Sequence, residues 1–196
     1  MGCYQREGEG MKVYDEEPKE FSSDHHSLIH SVTLLPHKIL SNYFMSELPQ
    51  LVLHDLGHDE NFGFKRAVYL IDNPDFDHLV GVAGFCKDEC KHHKEDIWHE
   101  PHSFKTDMEP AHFHKEMKQF LRSSLKRRDI DIHKSGDIKE LGTAMGLNDP
   151  KFLTWKMKHG NHGLLIFEKQ KNLCPWRDKM LKHSSALLSL CGISGI

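Results

Sequence analysis

Two runs of apolar residues in the middle of the chain are rich in β-branched and aromatic side chains. They cover Ala67 to Ile71 and Leu79 to Phe85, and the six residues from Asp72 to Asp77 between them include Asn and Pro. β-Branched and aromatic residues favour strands, and Asp, Asn and Pro favour turns. The pattern therefore predicts a β-hairpin at the centre of the chain, and Leu164 to Phe167 predicts a further strand.

Helical spacing of apolar residues appears mainly in the second half of the chain. One helix is predicted to start near Pro110 and to bury one face, made of Phe113, Met117, Phe120, Leu121 and Leu125. A second short helix is predicted from Asp137 to Met145, with Gly146 as its stop, and a third from Asp178 to Leu190. The predicted fold class is α+β: a single mixed domain with a central β-hairpin and two or three amphipathic helices.

Prolines and charged residues divide the rest of the chain. The apolar run from Ser27 to Leu35 is too short to distinguish strand from helix, and Pro36 is expected to end it. The stretch from Cys86 to Glu109 is charged and rich in histidine, and it predicts a long ordered loop. Because long loops without secondary structure are uncommon, a bound metal ion is one way to hold it.

Composition sets the expected boundaries and excludes several classes of protein. Residues 1–24 predict an acidic flexible tail, 25–170 a single globular domain, and 171–196 a C-terminal helix and tail. The formal net charge of −3 argues against a dedicated nucleic-acid-binding protein. No apolar run approaches the roughly 18 residues of a membrane span. Five scattered cysteines do not form a disulfide framework, which favours a reducing, cytoplasmic location.

The histidine content restricts the range of possible functions more than any other feature of the composition. The chain has 17 histidines, and six of them lie with two cysteines between Cys86 and His114. Neutral imidazole and thiolate bind transition metals at neutral pH, so a divalent metal ion (Zn, Fe or Mn) is the expected cofactor.

The motif Leu53-His54-Asp55-Leu56-Gly57-His58 suggests one specific chemistry. With His30 upstream, it resembles the signature of HD-domain metal-dependent phosphohydrolases. The resemblance implies an all-α bundle in which His30, His54, Asp55 and a later aspartate hold the metal. Asp72, Asp75 and Asp77 are the candidates for that aspartate, and Asp77 is preferred.

In such a site the metal activates a water molecule that attacks a phosphoester or another small anionic substrate. The expected catalytic residues are His54, Asp55 and His58. The basic residues that follow Pro110, from Lys115 to Arg128, would bind the anion. A metal-dependent hydrolase of this kind is the leading functional hypothesis.

Two alternatives use other residues. Cys86, Cys90, His99 and His102 have the ligand types of a tetrahedral zinc site, which predicts a non-catalytic zinc-stabilised module with a protein partner.

The second alternative starts from His58 and Glu60, which would point the same way on an extended segment. Together with His112 or His114 they resemble the metal triad of Fe(II)/2-oxoglutarate-dependent oxygenases, which implies a double-stranded β-helix.

Overall fold

The computed structural model describes residues 23–90, 97–126, 135–170 and 175–191. The predicted N-terminal tail therefore lies almost wholly outside the described residues. No helix within those ranges is long and apolar enough to cross a membrane.

A five-stranded antiparallel sheet forms the centre of the described structure. Its strands, in chain order, are β1 (Phe64–Asn73), β2 (His78–Cys86), β3 (Leu121–Arg122), β4 (Lys151–Lys156) and β5 (His162–Lys169). Their spatial order is β3-β2-β1-β5-β4. The predicted hairpin is confirmed as β1 and β2, with Ile71 opposite Val80.

Helices cover both faces of this sheet, so the α+β prediction is confirmed and the all-α alternative is wrong. The helices are α1 (Ser23–Ser41), α2 (Leu48–Gly57), α3 (Pro101–Met108), α4 (His112–Lys118), α5 (Ser135–Ala144) and α6 (Pro175–Ser185). The described strands form one sheet and not the two facing sheets of a double-stranded β-helix.

Alternation along β1 divides the core into two apolar clusters. Successive strand residues point to opposite faces. Ala67, Tyr69 and Ile71 lie in a cluster with buried residues of α1, α2, α3 and α6. The side chains of Val68 and Leu70 lie in a second cluster with residues of α4 and α5. The C-terminal helix thus packs on the same core as the predicted domain of residues 25–170.

Helix α4 approaches the sheet very closely at β2. A Cβ added to Gly81 would lie 1.7 Å from the backbone oxygen of Met117. Only glycine therefore fits at this crossing. The contact fixes α4, and with it His114, on the face of the sheet that carries the second cluster.

Pro36 does not end the first helix, contrary to the prediction. Helix α1 runs through Pro36 to Ser41. Proline inside a helix costs about 3 kcal/mol, but Leu28, Leu35 and Ile39 of this helix are fully or almost fully buried. Their burial in the cluster that also holds the buried residues of α2 offsets that cost, which the local pattern could not reveal.

The histidine-rich stretch also departs from the predicted loop. Residues 101–108 form α3, because Pro101 suits the first turn of a helix and Phe104 and Met108 bury one face. The helix predicted up to Leu125 ends at Lys118 instead, and Leu121 belongs to the short edge strand β3. The predicted second helix and its stop are confirmed, since α5 is followed by Gly146 at φ +79°.

Candidate functional site

His54 lies in the core between α2 and the sheet. It is 6% exposed. Its ring packs edge-on against Phe85 of β2 and Phe104 of α3, with both ring centroids 4.9 Å away. Nine of the ten residues of α2 are buried, so this helix carries its histidine into an apolar environment.

The thiol of Cys90 also lies close to the imidazole of His54. A short 3₁₀ helix, Lys87–Glu89, continues from β2 and ends at Cys90. The thiol sulfur lies 3.6 Å from Nδ1 of His54. It also donates a hydrogen bond to the carbonyl oxygen of Cys86 at 3.1 Å. Burial, helped by the nearby Cys86 thiol, raises the pKa of Cys90 to about 12, so the thiol is protonated at neutral pH.

The carboxylate of Asp55 contacts other residues than the imidazole of His54 does. Its Oδ2 accepts a hydrogen bond from the indole nitrogen of Trp98 at 2.8 Å. Its Oδ1 accepts one from the side-chain nitrogen of Asn61 at 3.0 Å. Lys38 of α1 lies 3.6 Å from Oδ2, and its ammonium group lies over the Trp98 ring. Asp55 thus links α1, α2 and the segment before α3.

Neighbouring helix residues point about 100° apart, which explains why His54 and Asp55 have separate partners. His30 and His58, the other histidines of the predicted hydrolase site, are both exposed. His58 caps α2, where its backbone amide donates to the carbonyl of His54. The structure does not bring these four residues together around one point.

The predicted second carboxylate ligand lies far from His54. Asp77 is in the turn of the hairpin, whereas Phe85, which contacts His54, is near the other end of β2. Eight residues of strand separate them by about 25 Å. Asp72 lies next to the same turn, opposite Leu79. Both aspartates are therefore remote from the imidazole.

The predicted zinc quartet is also divided. Cys86 is in the apolar cluster on the α4 side of the sheet, whereas Cys90 packs against the cluster on the α2 side. His99 and His102 are exposed. Within the described ranges, no group of three or more His, Cys, Asp and Glu side chains could hold a metal ion. His92 and His93, which follow Cys90 in the sequence, lie outside those ranges.

The residues of the predicted oxygenase triad are not assembled either. His58 and Glu60 are in a turn and not on the expected extended segment. His114 is on the α4 face of the sheet, where its Nδ1 accepts a hydrogen bond from the Gly84 amide at 3.2 Å. His112 is exposed beside Glu116.

The structure instead joins one residue from each of two predicted sites, His54 and Cys90. They are 36 residues apart in the sequence, so no local motif could have paired them. Phe85 and Phe104 pack against His54. The sequence predicts Phe85 in a strand and Phe104 in a loop, and neither prediction points to the site. In comparisons with known proteins, no family model and no curated protein matches the chain.

Proposed function

We propose that this chain is a zinc-stabilised domain in which Cys90 and His54 bind the metal ion. One observation carries the proposal: the 3.6 Å between the Cys90 sulfur and Nδ1 of His54. The pair lies at the junction of α2, α3 and the end of β2.

The distance fits two ligands of one tetrahedral zinc ion. Zinc–sulfur bonds of about 2.3 Å and zinc–nitrogen bonds of about 2.1 Å, at a tetrahedral angle, place the two ligand atoms about 3.6 Å apart. The described residues would supply these two ligands.

The raised pKa of Cys90 argues against a role as a free nucleophile. A reactive cysteine needs a lowered pKa, whereas burial raises the pKa of Cys90 to about 12. A bound zinc ion would displace the thiol proton. Metal binding would then fasten the segment after β2 to α2, and its binding energy would contribute to folding.

The partners of Asp55 favour this structural role over the hydrolase. The contacts with Trp98, Asn61 and Lys38 engage both carboxylate oxygens of Asp55. A hydrolase site would have to give up these contacts to use Asp55 as a metal ligand. The phosphohydrolase therefore remains a hypothesis with less structural support than the zinc-stabilised module.

The test compares thermal unfolding of the metal-free chain with and without added Zn²⁺. Zinc is expected to raise the melting temperature of the native chain and to be retained at about one ion per chain after desalting. Cys90→Ser should abolish both effects. Cys86→Ser is the matched control, since Cys86 is a neighbouring thiol at the end of β2 that faces the other cluster. Equal zinc responses in the two variants, or none in the native chain, would contradict the proposal.

A further inference from the structure

Strands β3 and β4 form the two edges of the sheet, and β4 is the longer of them. β3 has two residues, whereas β4 has six, from Lys151 to Lys156. Within the residues that the structure describes, β4 has a neighbouring strand, β5, on one side only. An edge strand of this kind presents a row of amide and carbonyl groups to which another chain can bind.

The register between β4 and β5 shows which of these backbone groups face outwards. The amide of Met157, directly after β4, donates a hydrogen bond to the carbonyl oxygen of Asn161 at 2.8 Å. In an antiparallel pair, residues that bond to the partner strand alternate with residues that do not. Counting back from Met157, Trp155 and Leu153 therefore bond to β5. The residues between them direct their backbone groups away from it.

The outward-facing backbone groups of β4 belong to Phe152, Thr154 and Lys156. Among the described residues, no hydrogen bond from a turn, a loop or a side chain is recorded for these groups. All three residues are at least partly exposed. Alternate residues of a strand are about 7 Å apart, so this row matches the spacing of an added strand.

The charge along this edge is positive. Every ionisable residue from 151 to 159 is a lysine or a histidine. Lys151, Lys156 and Lys158 are exposed, and the ion pairs recorded among the described residues do not involve them. The one acidic residue of β5, Glu168, is buried and pairs with Lys65 at 3.0 Å. The positive charge of the edge is therefore available to a partner.

We propose that the edge of β4 binds an acidic segment of a partner protein as an additional strand of the sheet. The outward-facing amide and carbonyl groups would supply the backbone hydrogen bonds of strand addition. Lys151 and Lys156, at the two ends of β4, would attract the carboxylates of the segment. A second copy of the chain fits less well, because it would bring the lysines of two β4 strands together. Edge lysines thus exclude basic strands and favour acidic ones.

The probe is a short fluorescein-labelled peptide of alternating glutamate and valine, and fluorescence anisotropy measures its dissociation constant. A peptide of alternating lysine and valine is expected to bind at least about tenfold more weakly. Thr154→Pro should weaken binding of the acidic peptide by a similar factor of about ten, because proline lacks the outward-facing amide hydrogen. Edge strands tolerate proline where the amide faces solvent. Thr154→Val keeps the amide and is the matched control, with the affinity of the native chain.

Three results would overturn the proposal. The first is that the acidic peptide does not bind the native chain, which would mean that the lysines only protect the edge from pairing. The second is equal affinity of Thr154→Pro and the native chain, which would indicate charge attraction without strand addition. The third is a dimer in sedimentation that Thr154→Pro converts to a monomer, which would assign the edge to a second copy.

Two further variants keep the test decisive. If circular dichroism shows that Thr154→Pro does not fold, the double variant Lys151→Glu/Lys156→Glu takes its place. It should prefer the lysine–valine peptide, and an unchanged preference for the acidic peptide would contradict the proposal. The acidic peptide should still bind Cys90→Ser, because β1 and β5 lie between β2 and β4. This result separates the edge from the proposed zinc site.

Discussion

Gly57 lies directly against the ring of Phe85. A Cβ at position 57 would come within 2.8 Å of Cζ of that ring. The same ring packs edge-on against His54, one turn earlier on α2. The absence of a side chain at Gly57 therefore lets Phe85 take the position in which it supports the imidazole beside Cys90.

Gly57→Ala is expected to destabilise the protein and to disturb the His54–Cys90 pair. Overpacking in a core costs about 1–3 kcal/mol, which outweighs the gain of up to about 1 kcal/mol from the better helix propensity of alanine. Denaturant unfolding measures the first effect and Zn²⁺ affinity the second. Gly136→Ala is the control, because a Cβ there meets nothing within 4 Å. Equal stability of the two variants would count against the tight contact.

The Asp55→Ala variant tests whether Asp55 stabilises the fold or binds a metal ion. The substitution removes the acceptor of the hydrogen bonds from Trp98 and Asn61, and we expect a loss of at least about 2 kcal/mol in unfolding free energy. Asp59→Ala, which removes only an exposed ion pair with Lys87, should cost less than about 1 kcal/mol. Zinc affinity should stay near the native value in both. A zinc site lost in Asp55→Ala alone would favour the hydrolase hypothesis.

Acid is expected to destabilise the fold through His114. Burial, with a contribution from Lys118, lowers the pKa of His114 to about 4, whereas an unfolded histidine has a pKa near 6.5. Between these values the unfolded state binds the proton more readily. The stability contributed by neutral His114 is therefore complete above about pH 6.5 and is lost as the pH falls towards 4, by about 3 kcal/mol in total.

His114→Asn isolates this effect from the titration of the other histidines. Its side-chain oxygen can still accept the hydrogen bond from the Gly84 amide but does not titrate. Urea unfolding at several pH values between 7 and 4 should show a smaller loss of stability in the variant than in the native chain. Parallel pH dependences of the two proteins would contradict the assignment to His114.

Much of the fold follows from local sequence, and the exceptions have physical causes. The hairpin was predictable because Val68, Tyr69 and Ile71 favour strands whatever their surroundings. The sequence does not predict strand β4, because its six residues begin and end with lysine and lie half-exposed at the sheet edge. The continuation of α1 through Pro36 depends on burial against elements that are distant in the sequence.

The candidate site could be predicted from local sequence even less completely than the fold. The histidine and cysteine content predicts a metal site. Closeness in the sequence, however, pairs His54 with Asp55 and Cys90 with Cys86 as ligands. On a helix and at the end of a strand, neighbouring side chains point in different directions. The structure accordingly gives His54 and Asp55 different partners, and it places the side chains of Cys86 and Cys90 against different apolar clusters. The closeness of His54 and Cys90 arises only from the packing of α2 on β2.

Co²⁺ titration of the metal-free protein tests the central claim most directly. Thiolate ligation of Co²⁺ produces a charge-transfer absorption band in the near ultraviolet, so the band reports on sulfur coordination and not on metal binding in general. We expect the band in the native chain and in Cys86→Ser, and its loss in Cys90→Ser. A band that persists in Cys90→Ser, or its absence from the native chain, would contradict zinc coordination by Cys90 and His54.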